Sequence, residues 1–225
     1  MKNLLIAILV IIILGFGAWK LLETKPDVNV PVATVTDTIN TTPTTATQTP
    51  SDTSTTSTTV TTTTTTTTSK QIDNGKVAIA FTGFGPGKKH IGSFSDIKSK
   101  LDLNDKGDMS GSITVGMASL NTDTEAVTKH LKTDAFFDVV KYPTATFTVT
   151  EDLTASTCKG DTVRCKAPYL YGNFTIHGVT KGVSFPVVRS ADKYTATFNI
   201  NMKEFGISQT LTNEVVELSV TAPLK

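Results

Sequence analysis

The chain has 225 residues, with 21 Lys and Arg against 20 Asp and Glu, so its formal net charge is +1. This balance gives no reason to expect a nucleic acid or an acidic partner. Composition changes sharply along the chain, and only the segment from about residue 71 onward has enough apolar residues to bury a core.

An uncharged apolar run, Leu4 to Trp19, opens the chain. At about 1.5 Å per residue it spans roughly 24 Å, and Leu21 and Leu22 extend it toward the roughly 30 Å of a bilayer core. The alternative is a cleaved signal peptide, because small residues at 15–18 offer a cleavage site. The polar region expected before such a site is nearly absent. The sequence therefore favours an uncleaved membrane anchor over residues 1–22, and both interpretations export the rest of the chain.

Residues 23–70 are rich in Thr, Ser and Pro and include an unbroken run of Thr at 61–68. Their few apolar side chains do not offset the entropy of ordering, which predicts a disordered linker. The composition is typical of an exterior stalk, either glycosylated or plainly flexible. Charges beside the apolar run leave its orientation open. The stalk favours a single-pass protein of the cell membrane with its C-terminal domain on the extracytoplasmic (periplasmic or cell-surface) side.

Residues 71–225 place apolar side chains at every second position, the period of a half-buried β strand. Ile113, Val115 and Met117, for example, alternate with Thr114 and Gly116. The same alternation surrounds Phe147, Phe174, Phe185, Phe198 and Leu218. Two earlier strands are predicted over 77–84 and 93–103. The total of about eight strands suits an all-β fold closed into a small antiparallel barrel.

One or two short helices interrupt the strands. Thr122 and Glu125 have the spacing of a capping box, in which two side chains bind the first amide groups of a helix. Val127 and Leu131 follow at i, i+4 spacing, and the predicted helix runs through Lys132. A second short turn through residues 134–137 must end before Pro143.

Two cysteines, Cys158 and Cys165, flank a short polar loop. In an exported domain this spacing favours a disulfide that clips a hairpin, with a pair of reduced thiols as the alternative. A metal site here would need further ligands, and the segment contains no His and no other Cys.

Five motifs resemble the YceI-like lipid-binding (polyisoprenoid-binding) family. HLKTDAFFDVVKYPTATF at 130–147 is similar to the family signature HL-x4-FFDV-x2-YP-x3-F. GNFTIHGVTK at 172–181 resembles the family's G-x-LT-x-HGVTK strand and turn, and three shorter segments occur at 89–94, 118–122 and 198–206. The resemblance covers nearly all of 77–225. It implies a lipocalin-like, eight-stranded antiparallel β-barrel that holds a lipid in the cell envelope and carries out no catalysis.

Alternation alone does not distinguish a barrel filled by side chains from one with room for a slender ligand. The resemblance favours a cavity, in which small residues such as Ala145, Gly172 and Ala196 leave space. The apolar residues predicted to line it are Phe81, Phe94, Ile113, Val115, Met117, Leu131, Phe136, Phe137, Phe147, Leu170, Phe174, Ile176, Phe185, Phe198 and Ile200. The expected ligand is a long apolar lipid such as an isoprenoid or a quinone. The alternative is a structural or adhesive surface module with a filled core.

Three histidines, His90, His130 and His177, are candidates for contacting the ligand's head group. A lone His at a strand end is more often simply hydrogen-bonded, and their spacing matches no metal motif. The family commonly carries Arg where Met202 stands, so any contact made by that Arg is lost here. No nucleophile elbow or paired carboxylates are found in the sequence. We therefore expect no enzyme activity, no metal and no cofactor besides a bound lipid, and we leave a homodimer open.

Overall fold

The computed structural model describes residues 24–38, 70–153, 168–208 and 213–225. The predicted anchor over residues 1–22 and the predicted Cys158–Cys165 disulfide lie outside these ranges. Within them, no helix has the length and apolar character needed to cross a bilayer.

The first of two β-sheets contains six antiparallel strands. Their bounds are Thr34–Thr36 (β1), Ile97–Leu103 (β4), Met109–Gly116 (β5), Thr144–Leu153 (β7), Tyr169–Ile176 (β8) and Val179–Pro186 (β9). Their order across the sheet is β1-β9-β8-β7-β5-β4. Strand β7 carries a bulge between Val149 and Glu151, where the pairing with β8 shifts by one residue.

The second sheet also contains six antiparallel strands. Their bounds are Ala78–Gly85 (β2), Lys88–Phe94 (β3), Leu120–Thr122 (β6), Val188–Arg189 (β10), Lys193–Asn201 (β11) and Val215–Pro223 (β12). Their order is β10-β11-β12-β2-β3-β6. The register places Leu218 of β12 between Phe198 of β11 and Phe81 of β2. Because side chains alternate across a strand, this register aligns the apolar faces of the three central strands.

Aromatic contacts join the two sheets over a shared apolar interior. Phe185 of the first sheet stacks on Phe198 of the second, with ring centroids 4.2 Å apart and planes 9° apart. Phe174 meets Phe205, in the short 3-10 helix Met202–Phe205 after β11, edge to face at 5.2 Å. Phe205 is fully buried. Burial of such rings helps to hold the sheets together.

The all-β prediction is confirmed, but the count of eight strands is wrong. The described ladders form two six-stranded sheets rather than one closed eight-stranded sheet. The predicted strand 93–103 is interrupted at Ser95 and Asp96, which separate β3 from β4. Strands β1, β6 and β10 contain only two or three residues. Strands of this length show too few alternations for sequence periodicity to reveal them.

The helix α1, Glu125–Lys132, confirms the predicted helix but not its predicted cap. Thr124, not Thr122, is the N-cap residue. The Thr122 hydroxyl donates to the carbonyl of Thr124, and its backbone N–H donates to Thr128 Oγ1 at 2.8 Å. Thr122 therefore ends β6 and fixes the buried side of the helix instead of capping it. The short turn predicted through residues 134–137 is present.

Residues 24–38, which we call the strap, pack against both sheets. The prediction that all of 23–70 is linker is therefore wrong for this segment. The strap contacts the second sheet, where the Ala33 N–H donates to the Asn199 carbonyl at 2.8 Å. It then adds β1 to the first sheet, pairing Val35 with Val183. The strap is short and is held largely by backbone hydrogen bonds. Val28 and Val32, which alternate with Val30 in its sequence, are 96% and 73% exposed, so its apolar pattern does not mark a buried face.

The strap also determines which parts of the chain the Thr-rich segment joins. Thr38 ends the strap, with its hydroxyl 3.4 Å from the Thr180 carbonyl, and Gln71 rejoins the domain through backbone hydrogen bonds with Lys225. The Thr-rich residues therefore connect two points on one domain. They do not separate that domain from the N-terminal apolar run.

Candidate functional site: an apolar cavity

A cavity of about 310 Å³ lies between the two sheets. Both sheets, α1 and the turn that follows α1 contribute to its wall, which is almost wholly apolar. The polar residues of the wall are His90, His130, Thr146, Tyr194, Thr195 and Asn213. Such a wall offers water few hydrogen-bonding partners.

All fifteen apolar residues that the sequence analysis predicted to line a cavity lie in this wall. Their contact with a ligand stays a prediction. The wall also contains β12 residues that the sequence showed as a strand but did not nominate, namely Val216, Leu218 and Val220. Their alternation could have identified them. Phe84, Pro86 and Asn213 come from strand ends, where periodicity carries no signal.

Several apolar wall residues are only partly buried although they lie between the sheets. Phe147, Phe174 and Leu218 are of this kind. In a close-packed core such side chains are covered on all sides. Here they border open space, which is the physical difference between this interior and a filled one.

Two glycines hold phenylalanine rings back against the sheets. A methyl group at Gly92 would overlap the Phe81 ring, and one at Gly172 would overlap the Phe147 ring. Gly92 is the cross-strand partner of Phe81. Each ring thus lies over a bare backbone position, which leaves the space beyond it free. Gly172, expected to leave room in the cavity, instead makes room for a ring.

The cavity reaches the surface between the β2–β3 turn and α1. Pro86 in the turn and His130 on α1 both line the cavity and are exposed. The His130 ring lies edge to face with Phe136, at 6.2 Å between centroids. Asn213 belongs to the same region, since its backbone N–H donates to the Phe84 carbonyl at 2.9 Å. We call this opening the mouth.

A small charged cluster stands beside the mouth. His90 Nδ1 lies 2.9 Å from one Asp123 oxygen, and Lys88 Nζ lies 3.4 Å from the other. The hydrogen bond with His90, reinforced by Lys88, lowers the pKa of the Asp123 carboxyl below its ordinary value of 3.8. Asp123 therefore stays ionised at neutral pH and engages Nδ1 of His90.

His177, the third candidate, lies outside the cavity wall. It occupies the tight β8–β9 turn with φ of +53°, and its ring centroid is 4.5 Å from that of Tyr142. Met202, where the family commonly carries Arg, is buried and lines the cavity. Within the described ranges, no three His, Cys, Asp or Glu side chains converge as a metal site would require.

Comparison with known proteins identifies a family and a related fold. Residues 70–224 match the family model of the YceI-like domain. The UPF0312 protein YE1254 of Yersinia enterocolitica (serotype O:8 / biotype 1B) is 31% identical over 132 residues, which are 53% of this chain and 64% of that protein. The match thus spans somewhat less than two thirds of this relative's length.

Among solved structures, BcnA of Burkholderia cenocepacia superposes with a TM-score of 0.56 at 17% identity, covering 68% of this chain and 98% of that one. A polyisoprenoid binding domain from Saccharophagus degradans, implicated in plant cell wall breakdown, gives a TM-score of 0.48 at 16% identity, over 69% and 97% of the two chains. At such identities a structural likeness concerns the fold alone. The family match confirms the resemblance that the sequence motifs indicated, and the chain belongs to the YceI-like domain family.

Proposed function

We propose that this protein binds one long apolar lipid, of the polyisoprenoid or quinone kind, in the cavity between its sheets. The protein stores or carries that lipid on the extracytoplasmic side of a cell membrane, to which residues 1–22 anchor it. The observation that carries the proposal is the cavity of about 310 Å³ with its nearly all-apolar wall. The proposed activity is binding, without chemical conversion of the lipid.

Burial of the lipid chain supplies the affinity. Each methylene group moved from water into an apolar site contributes about 0.8 kcal/mol, so a long chain needs few polar contacts. A polar end group is then best placed at the mouth, where His90, His130 and Asn213 provide nitrogen and oxygen atoms. This arrangement keeps the costly polar end near water.

The competing hypothesis, a structural or adhesive module with a filled core, requires an interior packed to the density of an ordinary protein. The cavity contradicts that requirement, and the half-covered Phe147, Phe174 and Leu218 side chains show where the packing is missing.

Gly83 provides a direct test, because it lines the cavity and a Cβ built there meets no atom within 4 Å. The full chain is purified from membranes, its bound lipid is extracted, and the extract is analysed by mass spectrometry. The Gly83→Phe variant places a ring in the cavity. The Thr82→Phe variant places the same ring on the opposite face of β2, so it controls for lipid carried over from the membrane.

We expect the unaltered chain and Thr82→Phe to carry a long-chain isoprenoid or similar lipid at about one molecule per chain. Gly83→Phe should carry much less of it while keeping the β-sheet signal in circular dichroism. Equal lipid in all three chains, or no lipid in any of them, would contradict the proposal.

A further inference from the structure

The strap begins at the mouth of the cavity. The Thr24 N–H donates to the Gly85 carbonyl at 3.3 Å, and the Thr24 hydroxyl lies 2.8 Å from the same oxygen and 3.2 Å from the Lys88 carbonyl oxygen. Gly85 and Pro86 both line the cavity, and Pro86 is one of its two exposed wall residues. Thr24 is therefore fixed at the β2–β3 turn.

The rest of the strap holds Thr24 in place. Asn199, only 3% exposed, donates through Nδ2 to the carbonyls of Asp27 and Val30, both at 3.3 Å. Its backbone N–H donates to the Pro31 carbonyl at 2.7 Å. Beyond this point the strap continues as β1 beside β9. Ala33, 6% exposed, belongs to the buried apolar core.

Very little chain separates this point from the apolar run. Glu23 is the single residue between Leu22 and Thr24. Two Cα–Cα steps span no more than about 7 Å. The Thr-rich segment lies after the strap, between Thr38 and Lys70, so it adds no length between the apolar run and the mouth.

We propose that the mouth faces the membrane and that the β2–β3 turn rests on the bilayer surface. Lipid then passes between bilayer and cavity without crossing water. This inference rests on the membrane anchor and the lipid binding proposed above. Val28 of the strap, 96% exposed, provides an apolar side chain for the same surface. Charge contributes little, because Lys25, Lys88 and Lys89 are nearly balanced by Asp27 and Asp123.

The two ends of the second sheet make the orientation measurable. Lys89 lies beside the β2–β3 turn and is exposed, and Ala191 lies in the exposed β10–β11 turn. The register puts Ala191 beyond the opposite end of β2. The length of β2 alone separates the ends by about 23 Å at roughly 3.3 Å per residue.

The test uses the full chain with Cys158 and Cys165 changed to Ser, in phosphatidylcholine vesicles that contain a lipid with a nitroxide on its head group. A fluorophore is attached at Lys89→Cys or at Ala191→Cys. We expect the nitroxide to quench the probe at position 89 and to leave the probe at position 191 unquenched. A flexible insertion of about 20 residues between Leu22 and Glu23, with an r.m.s. span of roughly 25 Å, should abolish the difference.

Equal quenching at both positions, or failure of the chain to enter the vesicles, would overturn the inference. A difference that survives the insertion would overturn the short connection at Glu23 as the cause of the orientation. Lipid content of the same chains separates the two proposals. A chain that carries lipid but shows equal quenching contradicts the orientation alone. A chain in which the probe at position 89 is quenched and the probe at 191 is not, but which carries no lipid, contradicts the proposed lipid binding alone.

Discussion

At the residue scale, the cavity depends on where glycine replaces a side chain. Phe81 lies over Gly92 on the neighbouring strand, and Phe147 lies over Gly172 in the same way. Each ring is thereby kept against its sheet. Gly83 has a different role, because no atom stands within 4 Å of where its Cβ would lie. In the β2–β3 pair, Gly92 thus makes room for a Phe ring and Gly83 borders empty space.

These roles predict opposite effects of adding one methyl group. Gly92→Ala should overlap the Phe81 ring and approach the Asn121 carbonyl oxygen at 2.9 Å. Such overpacking lowers the free energy of unfolding by about 1–3 kcal/mol. Gly83→Ala should leave it unchanged or raise it by up to about 1 kcal/mol, because Ala restricts the unfolded chain. Urea denaturation of both variants measures the difference, and equal stabilities would refute the assignment.

The sequence predicted the apolar wall residues well because alternation and the family motifs both depend on local spacing. It misjudged Gly172, which was expected to leave cavity space but seats the Phe147 ring. The role of a glycine in a sheet depends on the residue across the strand, and that register is set by the whole fold. For the same reason, the sequence did not identify Gly83 as a residue of the cavity wall.

At the scale of elements, the strap is the feature that hydrophobic patterning did not reveal. Its backbone groups bind the edge of β11 at Asn199 and then the edge of β9, so it covers unpaired positions of both sheets. Exposed sheet edges of this kind are commonly covered in native proteins. The strap therefore stabilises the sheets as well as positioning the mouth.

The strap packs against the core through Ala33, and its exposed neighbour Thr34 provides a control. Ala33 is 6% exposed, whereas Thr34 is exposed. Ala33→Glu would bury an unpaired carboxylate, which costs more than 1.4 kcal/mol, so exchange of the strap amides should accelerate at least about tenfold. Thr34→Glu should leave the exchange rate of the strap amides nearly unchanged. Hydrogen exchange with peptide mass spectrometry measures both, and similar exchange in the two variants would show that the strap does not dock through Ala33.

The helix illustrates a second limit of local patterns. The spacing of Thr122 and Glu125 predicted the helix correctly, since α1 begins at Glu125. The same spacing assigned the cap to the wrong threonine. Thr122 is paired with Gly92 as the end of β6, and its hydroxyl donates to the Thr124 carbonyl instead of capping the helix. The side chain of the N-cap residue, Thr124, makes no capping hydrogen bond either.

At the scale of the whole molecule, the sequence predicted an all-β domain with an interior cavity but not its division into two sheets. The number of strands depends on turns such as Ser95–Asp96 and on strands of two or three residues, which have almost no periodic signal. A Thr-rich segment appears as a spacer in sequence, but it follows the strap along the chain and joins Thr38 to Lys70, two residues of the same domain.

Location of the lipid within the molecule is the central claim, and photo-cross-linking tests it most directly. The full chain is incubated with a prenyl alcohol that carries a diazirine on its chain, irradiated, digested and analysed by mass spectrometry. Cross-links are predicted on wall residues of both sheets, including Phe147 and Leu218, and they should be lost in Gly83→Phe. Labelling confined to outward positions such as Ser219 and Thr221, or unchanged by Gly83→Phe, would contradict a lipid held between the sheets.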